Sequence, residues 1–228
     1  MGSHESLDAL SRAVDASSLS ESAADRIRAW LTQSPYAEYR AELTDRIRRQ
    51  AWQELDELFA VEIPFGTAGR RGRMAPLGTN AINARTIGET VQALATYVRQ
   101  RGDCPRLTTA VAYDTRHRSR EFAELAAGIL AASGFHVFFF DGIRATPQLS
   151  TTVRHLDCAC GVVISASHNP PTDNAIKVFW RGGAQLRPPH DAAIFALMQE
   201  LGEIEAIPFA DAVAAGNVEF CQEAMDAF

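Results

Sequence analysis

Lysine is almost absent from this 228-residue sequence: of 22 Lys and Arg side chains, 21 are arginine and only Lys177 is lysine. Cysteine is scarce as well. Cys104, Cys158, Cys160 and Cys221 bring no second Cys/His pair at zinc spacing, so the expectation is buried, reduced thiols in a cytoplasmic protein rather than a metal or redox centre. No apolar run approaches the roughly 18 residues that a membrane-spanning helix needs. The stretch MGSHESLDALSRAVDASSLSES has no apolar h-region, so no secretory signal is expected. Excess positive charge is missing too. A net charge of −6 and a pI near 5.5 speak against a surface that tracks nucleic-acid phosphates. Neither nucleic acid nor a membrane is an expected partner.

What is present is enough chain, 46% of it apolar, for one large or two small domains with a real core. Residues 1–22 are polar and Ser-rich and read as a flexible arm. Over residues 23–60, Tyr36, Tyr39, Leu43, Ile47, Ala51, Leu55 and Leu58 recur at helical steps, and Pro35 suits the first turn of a second helix. PFGTAGRRGRMAPLGTN reads as a Gly-rich loop, and a helix is expected over 82–101. After Pro105 the rhythm becomes that of an α/β domain. LTTAVAY, FHVFFF and CGVVISA read as strands. SREFAELAAGILAAS, closed by Gly134, and TPQLSTTVRHL, with Pro147 in its first turn, read as helices. Such alternation predicts a three-layer α/β/α fold with a mostly parallel, mixed sheet. AIKVFW follows after a polar loop too short for a parallel crossover, so it is expected to run antiparallel. PPHDAAIFALMQEL closes the pattern as a helix. Ligands of such sheets bind beyond the C-terminal strand ends, where the polar loops 114–119, 141–146 and 165–174 are expected to converge.

The loop Ser165-Ala-Ser167-His168-Asn169-Pro170-Pro171 leaves a buried strand, and its prolines stiffen the turn. It presents a hydroxyl with imidazole and amide groups alongside, which a serine nucleophile needs. Taken alone, S-H-N-P reads first as a polar Asx/Ser turn. An acyl-transfer triad is disfavoured, because the G-x-S-x-G elbow is absent and Pro170 obstructs the helix that follows such a nucleophile. Phe65–Arg73 offers three glycines and three arginines, suited to an anion, but with neither Walker A nor dinucleotide spacing. Asp114-Thr-Arg116-His-Arg-Ser119 fits a phosphate contact or a helix cap with surface arginines. Lys177 is sharper. Arginine stays protonated near neutral pH whereas a partly buried amine does not, so a proton-transfer or compact ammonium role stands against a snorkelling strand lysine.

Taken together these segments resemble the α-D-phosphohexomutase superfamily, which includes phosphoglucomutases and phosphomannomutases, and most of all its phosphopentomutase-like branch. The family's T-A-S-H-N-P loop is matched by Ser165–Pro170. The branch's D-N-G-Y-K-V-Y-W…G-A-Q…P-P-H-D is matched by DNAIKVFWRGGAQLRPPHD, F-G-T-A-G-L-R-G by FGTAGRRG, Y-D-S-R-x-x-S by YDTRHRS, and R-P-T-P-x-L-S by RATPQLS. The resemblance runs over about residues 23–190. Three positions depart from it. Arg70 replaces a Leu and is expected to alter the pocket's charge. Ala175 replaces a Gly and is expected to remove backbone freedom. Ser165 replaces a Thr and keeps a hydroxyl.

The resemblance implies a reversible phosphoryl exchange that interconverts sugar 1-phosphates with 5- or 6-phosphates through a phosphoserine and a bisphosphate intermediate. Ser167 would carry the phosphoryl group, with His168, Lys177 and Arg71 as catalytic partners. Gly66, Thr67, Arg116 and Asn169 would bind substrate or phosphate. Mg2+ would be held partly through the Ser167 phosphate, with a sugar bisphosphate as activator. The family's acidic D-G-D-G-D-R, sugar-reading G-E-x-S-G and phosphate-gripping R-x-S-G-T-E-P strings do not occur in the sequence. The expectation is therefore a first, phosphoserine-bearing domain over 23–228, incomplete alone, with the further domains of the same polypeptide as partners. The alternative is an inactive stand-alone phosphosugar-binding or interaction module.

Overall fold

A computed structural model describes residues 3–66 and 69–221, and the chain falls into two compact units. The first takes residues up to Pro64 together with Met74–Asn83; the second takes Phe65–Arg73 and the chain from Ala84 on.

The first unit is helical: α1 (Ser3–Asp15), α2 (Glu21–Thr32), a 3-10 turn (Ser34–Tyr39), α3 (Arg40–Arg48) and α4 (Trp52–Phe59). Residues 3–15, expected within a flexible arm, form α1 instead. Their serines mask an amphipathic stripe: Leu7, Leu10, Ala13 and Val14 recur at helical spacing and join a core with Ile27, Trp30, Leu43, Leu55 and Phe59. Ser20 ends the connection, its Oγ accepting the Ala23 N–H at 3.3 Å as an N-cap. Trp30 stacks on Tyr36 at 4.7 Å and meets Phe59 edge-on at 5.2 Å, which accounts for the tight 3-10 turn opened by Pro35.

The second unit runs β1 (Gly69–Arg73), α5 (Ala84–Arg101), β2 (Thr108–Tyr113), α6 (Ser119–Ala132), β3 (His136–Phe139), α7 (Thr146–His155), β4 (Cys160–Ile164), β5 (Asp173–Trp180), α8 (His190–Gln199), α9 (Phe209–Ala214) and β6 (Val218–Phe220). The sheet order is β1-β5-β4-β2-β3-β6. Strand β5 runs antiparallel to both β4 and β1, while β4, β2, β3 and β6 are mutually parallel. This is the mixed, mostly parallel sheet that the alternating pattern predicts.

The chain steps from β2 to the adjacent β3, then back past β2 to β4. By the right-handed rule for parallel strands joined through a helix, this reversal puts α6 and α7 on opposite faces. Leu149 and Val153 of α7 pack with Ala110, Ala112 and Val163 on one of these faces. Gly134 closes α6 with a positive φ of 87°, which lets Phe135 N–H reach back to Leu130 O at 3.0 Å. The reversal of direction around β2 leaves a crevice at the C-terminal ends of β2 and β4. All four cysteines are free, and burial pushes the Cys158 and Cys160 thiols up to about 12, so neither is a thiolate at neutral pH.

Two further features differ from the sequence expectation. The Gly-rich segment contains β1, and the chain after α8 adds α9 and β6. Strand β1 has no apolar alternation. It pairs because Gly69 lies against β5 so closely that a Cβ there would sit 1.9 Å from the Ile176 carbonyl oxygen. Among the described residues no helix is long and apolar enough to cross a membrane.

Candidate active site

The crevice is built from three chain segments of the second unit. Strand β4 ends at Ile164, and the loop to β5 turns sharply at Ser167, whose φ of 56° lies in the left-handed region that serine rarely adopts. The turn is fixed from both sides. Buried Ser165 accepts the Ser167 N–H on its Oγ at 3.2 Å, and its own N–H donates to Ala175 O at 2.9 Å. Asn169 N–H closes onto Ala166 O at 3.1 Å, and Asp173 N–H onto Pro170 O at 3.0 Å. Ser167 and His168 are thereby left exposed beyond the strand end.

Lys177 comes up from β5, opposite Val163 of β4 and Gly69 of β1. Its residue is 8% exposed, and its Nζ donates to Ser167 Oγ at 2.6 Å. Burial, then the Arg71 cation, lower its pKa below the ordinary 10.5; Arg116 adds to this, and only Asp114 opposes them. The amine can therefore change protonation state more readily than a surface lysine.

Arg71 sits on β1 beside Ala175 and donates from Nη1 to Asn169 Oδ1 at 3.2 Å. Asn169 in turn donates from Nδ2 to Asp173 Oδ2 at 2.9 Å. Arg71 and Asn169 thus meet the serine loop as the sequence leads one to expect. Gly66 forms a bridge with Gly69, its N–H donating to Gly69 O at 2.8 Å. Thr67 lies outside the described residues.

The resemblance assigns Arg116 to phosphate, but its guanidinium faces protein oxygens. Nη1 donates to Pro170 O at 2.7 Å and Asp173 O at 3.1 Å. Nη2 donates to Ser167 O at 2.8 Å and Asn169 O at 2.6 Å. Nε lies 3.5 Å from Asp114 Oδ2.

Sequence reasoning did not single out Asp114, Asn174 or Asp173 as site residues. Asp114 Oδ1 accepts from Arg116 N–H at 3.0 Å and from Ser119 Oγ at 2.7 Å, the Asx geometry that a D-T-R string permits. Asn174 donates to His117 O at 3.1 Å and to Ser119 Oγ at 3.0 Å, tying the loop after β2 to β5. The third expected loop, 141–146, is tied to the C-terminal end of β2 next to Asp114, with Arg144 N–H donating to Tyr113 O at 2.9 Å and Tyr113 Oη donating to Asp141 O at 3.4 Å.

Two expectations about departures need correction. Arg70 leaves the pocket's charge alone, because it is 2% exposed and turned under the sheet, 3.0 Å from Glu89 Oε2. Glu89 also meets Arg85 at 2.9 Å. Ala175 needs no glycine freedom: it is a regular strand residue outside the positive-φ set.

Among the described residues no group of three or more His, Cys, Asp or Glu gathers to hold a metal ion, so the donor set here does not by itself fit the Mg2+ that the resemblance implies. What the arrangement can do is place a serine hydroxyl at an exposed, cation-lined edge, with one titratable amine on its oxygen.

Residues 62–205 match the family model described as "Phosphoglucomutase/phosphomannomutase, alpha/beta/alpha domain I". The chain is 38% identical over 155 residues to the phosphopentomutase of Homo sapiens, covering 65% of this chain and 25% of that protein. It is 42% identical over 128 residues to the phosphoglucomutase of Staphylococcus haemolyticus, covering 56% of this chain and 23% of that one. Among solved structures, a protein assigned as a phosphomannomutase from Thermus thermophilus superposes with a TM-score of 0.58 at 32% identity, over 64% of this chain and 32% of that one. The chain spans about a quarter of the length of the curated relatives it matches.

Proposed function

The chain belongs to the phosphoglucomutase/phosphomannomutase family, and from that premise we propose that Ser167 is the phosphoryl carrier of a sugar-phosphate mutase. The observation that carries this reading is the 2.6 Å hydrogen bond from Lys177 Nζ to the exposed Ser167 Oγ. In the donating half, a sugar hydroxyl attacks phosphorus, its new O–P bond forms and the Oγ–P bond breaks. The Lys177 ammonium returns a proton to Oγ as it leaves, and His168, next to Ser167 in the chain and exposed, takes the proton of the sugar hydroxyl. In the return half, Ser167 Oγ attacks the other phosphate of the bisphosphate and gives its proton to the Lys177 amine, while the sugar O–P bond breaks and His168 returns its proton to the leaving sugar oxygen. A lowered lysine pKa suits both directions, since the same group must give and accept a proton. Arg71, beside Asn169, supplies fixed positive charge for the transferring oxygens.

The substrate class is proposed as pentose or hexose phosphates, after the printed activities of the relatives, with a sugar bisphosphate as activator. Mg2+ is proposed as the family's metal, with its carboxylate ligands and the sugar-reading groups supplied by sequence that this chain does not contain. The chain alone is accordingly proposed to accept a phosphoryl group at Ser167 without sustaining interconversion. The test is Lys177→Arg, which keeps the charge and removes the titratable amine. Acceptance of phosphoryl from glucose 1,6-bisphosphate is expected to slow by about 10²-fold or more; near-normal acceptance would show that charge alone suffices.

A further inference from the structure

We infer that Arg116 is a positioning residue, which holds the Ser167 loop in its left-handed turn and takes no part in binding substrate phosphate. This rests on the reading of Ser167 as the phosphoryl carrier. A guanidinium has five N–H donors in a planar fork and no acceptor. Four are spent on the carbonyls of Ser167, Asn169, Pro170 and Asp173, at 2.6–3.1 Å. The fifth, on Nε, faces Asp114 Oδ2 at 3.5 Å. No donor is left for a ligand, and the side chain is only 11% exposed.

The direction of these bonds matters as much as their number. The loop folds so that four carbonyl oxygens point to one spot, which is repulsive unless a cation fills it. Arg116 fills it from the end of β2, across the crevice between β2 and β4. It is itself aimed by Asp114, whose Oδ1 holds the Arg116 N–H at 3.0 Å and the Ser119 hydroxyl at 2.7 Å. The Ser167 carbonyl is one of the four, so the clamp acts on the residue whose φ of 56° sends Oγ to Lys177. Without the clamp, the loop relaxes toward ordinary backbone angles, and Oγ leaves the amine. A misplacement near 1 Å at a reacting group costs about 10²-fold in rate.

Lysine cannot substitute. Its three donors on one nitrogen do not reach four carbonyls spread along a fork. A phosphate-binding role would instead need mainly the positive charge, which lysine restores. The two roles therefore predict opposite results for Arg116→Lys.

The experiment has two arms on the full chain. In the first, the wild-type Arg116 guanidinium is followed by 15N–1H NMR while inorganic phosphate is added. Slow rotation of its Nη groups and signals unmoved by phosphate are expected; a saturable shift of the Arg116 signals would overturn the inference. In the second, single-turnover phosphorylation of Ser167 by glucose 1,6-bisphosphate is compared for wild type, Arg116→Lys and Arg116→Gln. Both variants should lose about 10²-fold in the maximal rate, with the half-saturating bisphosphate concentration changed less than about threefold. Rescue by lysine, or a loss seen only in half-saturation, would contradict the clamp. If wild-type Ser167 accepts no phosphoryl group at all, the carrier reading fails. The NMR arm then still decides where the Arg116 donors go.

Discussion

A single lysine among 21 arginines gives the residue scale its clearest handle, because one amine yields one side-chain signal. Lys177 is buried beside Arg71 and Arg116, and its pKa is lowered from 10.5. We predict that the Lys177 13Cε resonance of a lysine-labelled sample titrates with a midpoint below 10.5; a midpoint at or above it would refute the burial argument. The sign for stability follows. A lowered lysine pKa means that the fold disfavours the ammonium, so the cost is fully present below the folded pKa and disappears as pH rises through it toward 10.5. Lys177→Met should therefore raise Tm at neutral pH while abolishing phosphoryl acceptance. The link between Lys177 and the serine loop was legible in the sequence, since the solitary lysine follows the S-H-N-P loop by ten residues, and its amine meets Ser167 Oγ. The role of Arg116 was not. Its partners are backbone carbonyls, and a carbonyl has no letter in a sequence.

Elements with a continuous or periodic apolar pattern were legible, and those held by other means were not. Strands β2 and β4 and helix α6 follow from runs such as LTTAVAY, CGVVISA and SREFAELAAGILAAS, because continuous burial leaves a continuous apolar string. Strand β1, with the sequence GRRGR, leaves no such trace. It stays in the sheet through the close approach that Gly69 permits and through Arg70, whose buried guanidinium meets Glu89 alongside Arg85. Helix α1 was hidden by its serines, and β6 is three residues long, too short for any period to register. The ion cluster under β1 makes an unequal prediction. Arg70→Leu leaves Glu89 paired with Arg85 and should change stability by about 1 kcal/mol or less, whereas Glu89→Ala takes the shared carboxylate from two buried guanidinium groups and should cost about 3–5 kcal/mol. Urea unfolding of both variants checks this. Equal losses would show that the two pairs do not share Glu89 as described.

At the scale of the whole molecule, the sheet reversal around β2 explains why loops far apart in sequence share one crevice, and why the serine loop meets Arg71 from β1, Arg116 from beyond β2 and Lys177 from β5. Carrying a phosphoryl group and interconverting sugar phosphates are separate demands on that crevice. Transfer spreads charge over equatorial oxygens that need further cationic groups and metal to counter it. With no metal-holding cluster among the described residues, the chain alone is predicted to give no steady-state interconversion of glucose 1-phosphate, mannose 1-phosphate or ribose 1-phosphate with Mg2+ and bisphosphate. Robust turnover would contradict that. The central claim, that Ser167 carries the phosphoryl group, is tested most directly by incubating the chain with glucose 1,6-bisphosphate and mapping the modified residue by mass spectrometry. The account predicts one phosphoryl group per chain, on Ser167, absent from Ser167→Ala. Stable modification of Ser165 or Ser119 instead, or of no serine at all, would contradict it.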